Sequence, residues 1–326
     1  MLRRMLRAAA AGAAAYGAAS VAMVGRALAQ VGQPVNGQLG LQGAGSTEME
    51  HLTTLYNVVN GIIIAIAIFV LLLLLYVMYR FNAKSNPTPS RTTHNTMLEV
   101  VWTIVPILIL VGMAIPSFRL LYEQYSFPKP DITIKATANA WFWEHEYMDQ
   151  KVSVTSNVVG DEDILKTKIG EEAYAAKYGS LEGTALTRAL YQDAKPLWEQ
   201  NLDPRELAVD QAIAIPVNKV VHLLVTSNDV IHSWTIPSFG VKQQAVPGRI
   251  AALWFKPTKV GAYYGQCSVL CGKFHSAMPI AIRVVEQNVY DKWMAALQAK
   301  DKKGANAILK ADAEAQRSKP VAALSR

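Results

Sequence analysis

A chain of 326 residues with 51% hydrophobic and only 17% charged side chains is too apolar for an ordinary soluble protein, so membrane spans are expected. The formal charge of +7 does not signal a nucleic-acid binder: residues 123–285 hold 16 basic against 17 acidic residues, and four other basic residues sit near the N-terminus. Two cysteines exclude a disulfide framework.

Residues 1–29 read as a secretory signal peptide, with a basic start, an Ala-rich middle and Ala27-Leu28-Ala29 as the cleavage site. An uncleaved apolar anchor is the alternative. Residues 30–56, Gly-rich and polar, are expected to form a flexible arm. A transmembrane hairpin follows over 57–122, with spans at about 57–80 and 97–118. The connecting loop carries Arg80, Lys84 and Arg91 and no acid, whereas Glu48 and Glu50 precede the first span. The positive-inside rule therefore places the loop in the cytoplasm and the C-terminal domain on the exported side. Pro106 and Pro116 within the second span point to protein neighbours that satisfy freed carbonyls. Glu99, just inside that span, is either a carboxylate snorkelling to the interface or a proton-uptake group.

From 123 the pattern changes to β. DITIKATANAWFWEHEYMD alternates, and VHLLVTSN, RIAALWFKP, GAYYGQC and PIAIRVVE read as further strands between Pro, Gly and Asn turns. A sandwich or Greek-key barrel over 123–285 is expected, interrupted at about 156–210 by an insertion of short helices. Residues 286–326 begin as an amphipathic helix and end in a Lys- and Ala-rich segment expected to be mobile.

The chemistry concentrates in YGQCSVLCGKFHSAMP, where Cys267, Cys271, His275 and Met278 fall within twelve residues. His232 lies upstream in NDVIHSWTIPS, and two strand-joining loops are expected to bring it to the cluster. Soft sulfur with imidazole suits copper. One blue-copper ion needs a single cysteine, so the second allows two thiolates to bridge two coppers. A Cys2His2 zinc site, a copper-delivery protein and a simple Cys267–Cys271 disulfide remain as alternatives.

The two spans, HNTMLEVVWTIVPILIL, AWFWEHEY, VIHSWTIPSFGVK, AVPGR and the cysteine loop together resemble subunit II of bacterial cytochrome c oxidase. The resemblance implies a cupredoxin-like Greek-key barrel in the periplasm, anchored in the bacterial inner membrane. It implies the binuclear copper A centre, with His232, Cys267, Cys271, His275, Met278 and the Val269 carbonyl as ligands. It makes Trp141 the entry point for electrons from cytochrome c, although an aromatic in a strand more often belongs to the core. It makes Glu99 the mouth of a proton path. The implied partners are cytochrome c, subunit I with haem and copper, subunit III and membrane lipid, with no nucleic acid. Glu144, Glu146 and Asp149 beside Trp141, and the run Asp161, Glu162 and Asp163, are the candidate docking acids; a solvated face is the plainer reading of each. Arg249 lies on the implied route to the haem, or is a buried ion-pair partner. Two positions depart from the family: Val269 and Gln244 stand where it has a glutamate and an aspartate beside a magnesium or manganese ion, so that ion is expected to be lost or held differently. The copper-free subunit of a quinol oxidase is the rival reading, disfavoured because all five copper side chains are present.

Overall fold

The computed structural model describes residues 32–317, so the signal segment 1–29 and the last residues of the tail lie outside the description. The chain divides into two units, one of residues 50–127 and one formed by 128–326 with the stretch up to Met49.

The first unit is a helical hairpin. Helix α1 (Thr47–Arg80) and helix α2 (Thr96–Gln124) are 34 and 29 residues long. At 1.5 Å per residue each exceeds the roughly 30 Å of a bilayer's hydrocarbon core. Their Leu, Ile, Val and Phe side chains are exposed along most of both helices, as membrane spans require. Asn95 caps α2 by accepting from the Leu98 N–H at 3.2 Å, and the helix continues through Pro106 and Pro116. Glu99 occupies the first turn, half-buried, where the helix dipole favours a carboxylate. His51 near the start of α1 meets Glu123 near the end of α2 at 2.9 Å, which ties the ends of an antiparallel pair.

The second unit is the expected β-barrel. A five-stranded sheet has the order β3-β2-β1-β5-β8, from β1 (Ile132–Asn139), β2 (Phe142–Tyr147), β3 (Val152–Ser156), β5 (Val221–Ser227) and β8 (Ala251–Phe255). A three-stranded sheet has the order β4-β10-β9, from β4 (Ile213–Pro216), β9 (Gly261–Gln266) and β10 (Pro279–Val285). The hairpin β6 (His232–Ile236) and β7 (Val241–Ala245) packs between β8 and β9 and closes the barrel. Gly265 on β9 makes this closure possible, because a Cβ there would lie 1.7 Å from the Thr235 carbonyl oxygen on β6. The pairs β1–β5 and β4–β10 are parallel, so the chain crosses between the sheets rather than meandering.

Alternation along β1, β2 and β5 sends Ile134, Ala136, Trp143, Tyr147, Leu223 and Val225 into one core. Strand β10 shows no alternation and is buried at every position. Its second face is covered by Leu207 from the base of the insertion, which packs with Tyr264 and Ala281. There the buried Arg283 pairs with Asp203 and donates to the Tyr264 hydroxyl at 3.0 Å.

The insertion itself is helical as expected. Helices α3 (Asp161–Ile169), α4 (Glu171–Tyr178) and α5 (Gly183–Gln200) enclose a small core of Leu165, Tyr178, Ala194 and Trp198. Asn157 and Asp210 pair across its neck, where the Asn157 N–H donates to Asp210 Oδ1 at 2.7 Å. The insertion leaves β3 beside Trp143, at the end of the sheet that carries Trp141.

Two expectations are corrected. The stretch before the first span is no free arm: helix α1 begins at Thr47, ten residues earlier than expected, and Gly45 bonds Ser238 and Thr258 through its backbone. Buried Ser46 and Met49 complete that attachment. Similarly, the Lys- and Ala-rich tail is helical and packs as far as Leu309, because helix α6 (Gln287–Gln298) buries Tyr290, Trp293 and Met294 while α7 (Lys302–Arg317) buries Ala305 and Leu309 in the main core. Its apolar residues are few but share one helix face.

His145, buried on β2, accepts a hydrogen bond from the Trp234 Nε1–H at 3.2 Å, which requires the neutral ring. Burial lowers its pKa from 6.5 to about 3. An unfolded chain then binds more protons than the native one between those values, so native stability is full above pH 6.5 and is lost as pH falls towards 3. His145→Phe should flatten this acid slope by up to about 1.4 kcal/mol per pH unit. Urea unfolding of the full chain in detergent, followed by tryptophan fluorescence at pH 7 and pH 4, checks it; equal slopes would count against the buried neutral ring.

Candidate metal centre

Two structures meet at one end of the barrel. The loop from Cys267 to Met278 joins β9 to β10, and its ends are pinned because the Cys267 N–H donates to the Met278 carbonyl at 3.0 Å. His232 is not in a loop but is the first residue of β6, fully buried. The Ser268 N–H donates to the Ser233 carbonyl at 3.2 Å, which holds the metal loop against that strand.

The donors form a row. Cys267 Sγ lies 3.8 Å from His232 Nδ1 and 3.7 Å from Cys271 Sγ, and Cys271 Sγ lies 3.5 Å from His275 Nδ1. A disulfide would need sulfurs about 2.05 Å apart, so the cysteines are two thiols and the simple bridge is ruled out in this conformation. The Val269 carbonyl oxygen is 3.3 Å from Cys267 Sγ, and the Met278 side chain is buried beside the loop. His232, Cys267 and Cys271 have ligand atoms within 4.8 Å of one another, while His275 falls outside that group at the far end of the row. This donor set fits copper: two thiols, two imidazoles and a thioether suit a soft metal. Burial, and then the neighbouring Cys267 thiol and the Asp229 carboxylate, push the Cys271 thiol up to about 12. A metal that binds here must displace that proton, because the ligand is the thiolate.

One residue essential to this geometry was not found from the sequence. Asp229 Oδ1 lies 2.8 Å from His232 Nε2. A carboxylate only accepts, so Nε2 carries the proton and Nδ1 is left to face Cys267. Burial raises the Asp229 pKa, but bonds from His232, Val230 and Ala140 outweigh it and hold the carboxyl below its usual range. An aspartate three residues before a candidate ligand histidine is the available signal.

Trp141 is not in a strand, although it packs against the edge of the main core. It is half-buried in the turn between β1 and β2, and its indole N–H donates to the Cys271 carbonyl at 3.2 Å. Phe274 meets it edge-on at 5.1 Å. Gly272 (φ +121°) makes room, since a Cβ there would lie 3.0 Å from the indole.

The docking acids scatter. Glu144 and Glu146 project from the outer face of the five-stranded sheet, the latter opposite Lys135. Asp149 lies in the turn after β2, about 20 Å of extended strand from Trp141, so closeness in sequence does not bring it to the tryptophan. Asp161 is engaged internally by Arg205 and the Trp198 Nε1–H, both at 2.8 Å, while Asp163 caps the Gly160 N–H and Glu162 pairs with Lys166. That acidic run is first of all a helix start. Arg249 is exposed rather than buried, as is Gln244, and Val269 is half-buried.

Comparison with known proteins agrees with this picture. Residues 34–120 match the transmembrane domain, and residues 186–285 the periplasmic domain, of cytochrome c oxidase subunit II. The chain is 39% identical over 269 residues to cytochrome c oxidase subunit 2 of Cereibacter sphaeroides, covering 81% of this chain and 82% of that one. It is 37% identical over 281 residues to the probable cytochrome c oxidase subunit 2 of Rickettsia bellii, covering 86% of this chain and 91% of the relative. The crystal structure of the periplasmic domain of subunit II (CoxB) of Bradyrhizobium japonicum aligns with 38% identity over 54% of this chain and 99% of that one, at a TM-score of 0.40. The chain, a membrane protein with a cupredoxin-like domain, belongs to the cytochrome c oxidase subunit II family.

Proposed function

We infer that this chain is the electron-entry subunit of a cytochrome c oxidase. It takes single electrons from a cytochrome c at Trp141 and delivers them towards haem in subunit I, where oxygen is reduced to water with proton translocation. The observation that carries this is the row of imidazole, thiol, thiol and imidazole with Trp141 bonded to its centre.

The donors do not converge on one tetrahedral point, as a zinc site would require. Two sulfurs between two outer imidazoles suit a pair of copper ions, with Met278 and the Val269 carbonyl as outer donors. Such a pair, when bound, supplies a one-electron couple shared over both metals. The protein's part is to hold the ligands rigidly, exclude water through buried Cys267, Cys271 and Met278, and offer Trp141 at the surface. The same row argues against a copper-free quinol oxidase subunit.

A cationic donor would meet Glu144, Glu146 and the insertion. Residues 157–210 hold 11 acidic against 6 basic side chains and rise from the Trp141 end of the sheet. Such encounters are fast and salt-sensitive. The exposed Ile250 and Leu270 suit contact with subunit I, subunit III and lipid being further neighbours. The domain lies on the periplasmic side of the bacterial inner membrane and Glu99 at the cytoplasmic mouth of a proton path. No carboxylate stands at Val269 or Gln244, so these positions do not fit the family's magnesium or manganese ion.

Three outcomes follow. Wild-type complex should contain two coppers in this subunit with a delocalised mixed-valence EPR spectrum, and Cys271→Ser should abolish that spectrum; a single-copper spectrum in the wild type would overturn the reading. Trp141→Ala should slow electron entry from cytochrome c by at least about tenfold, through loss of the oriented contact, with the copper spectrum retained. Stopped-flow reduction decides it. Glu99→Gln should slow steady-state turnover while leaving the rate of copper reduction unchanged, and equal turnover would leave Glu99 as no more than a first-turn carboxylate at the membrane interface.

A further inference from the structure

Asp229 touches both ends of the electron route. Its Oδ1 accepts from His232 Nε2–H at 2.8 Å and from the Val230 N–H at 2.6 Å. Its Oδ2 accepts from the Ala140 N–H at 2.6 Å, in the residue immediately before Trp141. Trp141 in turn donates to the Cys271 carbonyl, and Cys271 Sγ lies beside Cys267 Sγ, which faces His232. The contacts therefore close a ring: Asp229, Ala140, Trp141, Cys271, Cys267, His232 and back to Asp229.

Asp229 itself is anchored. Its N–H donates to Ser227 Oγ at 3.2 Å, and Asn228 bonds the end of β1 through the Ala138 carbonyl at 3.1 Å and the Asn139 side chain at 2.9 Å. The loop after β5 and the turn after β1 thus move as one piece. His232 is fully buried while Asp229 is about one-third exposed, so the carboxylate is the histidine's link to the outer turn.

We propose that Asp229 is a positioning residue that locks the buried histidine ligand and the entry tryptophan into one frame, and that its charge sets the potential of the metal they serve. The proposal rests on the copper-relay reading. Two donors, the His232 Nε2–H and the Ala140 N–H, reach two different oxygens of one side chain. Asparagine offers a single oxygen, so it satisfies one donor and confronts the other with its own N–H. Removing a negative charge beside the histidine also makes reduction of the metal easier. A carboxylate behind a metal-bound histidine contributes about ten- to a hundredfold to metal affinity in other sites.

The test uses the purified oxidase complex carrying Asp229→Asn. The expected result is a copper pair still visible by EPR, a midpoint potential shifted upward, altered nitrogen couplings of one imidazole, and copper loss to a chelator about ten- to a hundredfold faster. Electron entry should slow in kcat, with KM for cytochrome c and its salt dependence unchanged. A variant with wild-type potential and couplings would overturn the proposal. So would a change confined to KM and its salt dependence, because that marks a docking charge. Should the variant fail to assemble, the wild-type complex answers by itself. After transfer to D2O the Nε2 proton of His232 should exchange much more slowly than that of half-buried His275, and equal exchange would overturn the frame. If the wild-type complex shows no copper pair, the relay reading falls first, and that outcome is distinct from these.

Discussion

Two thiols held 3.7 Å apart without bonding to one another are the constraint on which the domain depends. Left to a flexible loop, cysteines four residues apart in an oxidising compartment would collapse to a disulfide or splay into solvent. Neither happens here because the loop is pinned at both ends and along its side. Paired β9 and β10 close its base, and β6 bonds Ser268 from the flank. The close approach at Gly265 is what lets β6 reach that position and presents His232 at its first residue. Barrel closure and ligand placement are therefore one event. The cupredoxin-like sandwich supplies the stiffness that keeps these donors in place.

How much of this could be read in advance follows from how local each signal is. The cysteine loop is legible because Cys267, Cys271, His275 and Met278 lie within one turn-containing segment, and their spacing already restricts the chemistry. The apolar spans are legible because length and composition decide them. Strands β4, β6 and β7 escape notice, being four or five residues long and mixed in polarity, and they form because neighbouring strands offer them a ladder. Asp229 escapes because its importance depends on a histidine, a turn and a tryptophan that only the fold assembles. The docking acids fail in the opposite way. Nearness in sequence suggests a cluster, but a strand moves successive residues steadily apart and alternates their faces, so Asp149 and Glu144 end in different places. Asp161 shows a further limit: an acidic run at a helix start is used first for capping and ion pairing.

The two units divide the physical problem. In the hairpin, backbone bonds are satisfied within each helix and apolar side chains face outward, so identity comes from a few polar residues such as Glu99, His51 and Glu123. In the second unit apolar residues turn inward, and several of the polar residues that remain buried have a partner. His145 takes the Trp234 N–H, Tyr147 donates to the Ala214 carbonyl at 2.6 Å, and His232 has Asp229. Charge separates as well. The acids gather on the insertion, while the barrel outside it, between 123 and 285, carries 10 basic against 6 acidic residues.

Strand β10 owes its complete burial to the base of the insertion, where Asp203 and Leu207 cover Arg283, Tyr264 and Ala281. The same two strands carry the metal loop between them. Asp203 and Leu207 precede Cys267 in the chain, so during synthesis the surface that braces β9 and β10 emerges before the cysteines do. The order of the sequence is also an order of assembly, in which the support is laid down ahead of the ligands it will steady.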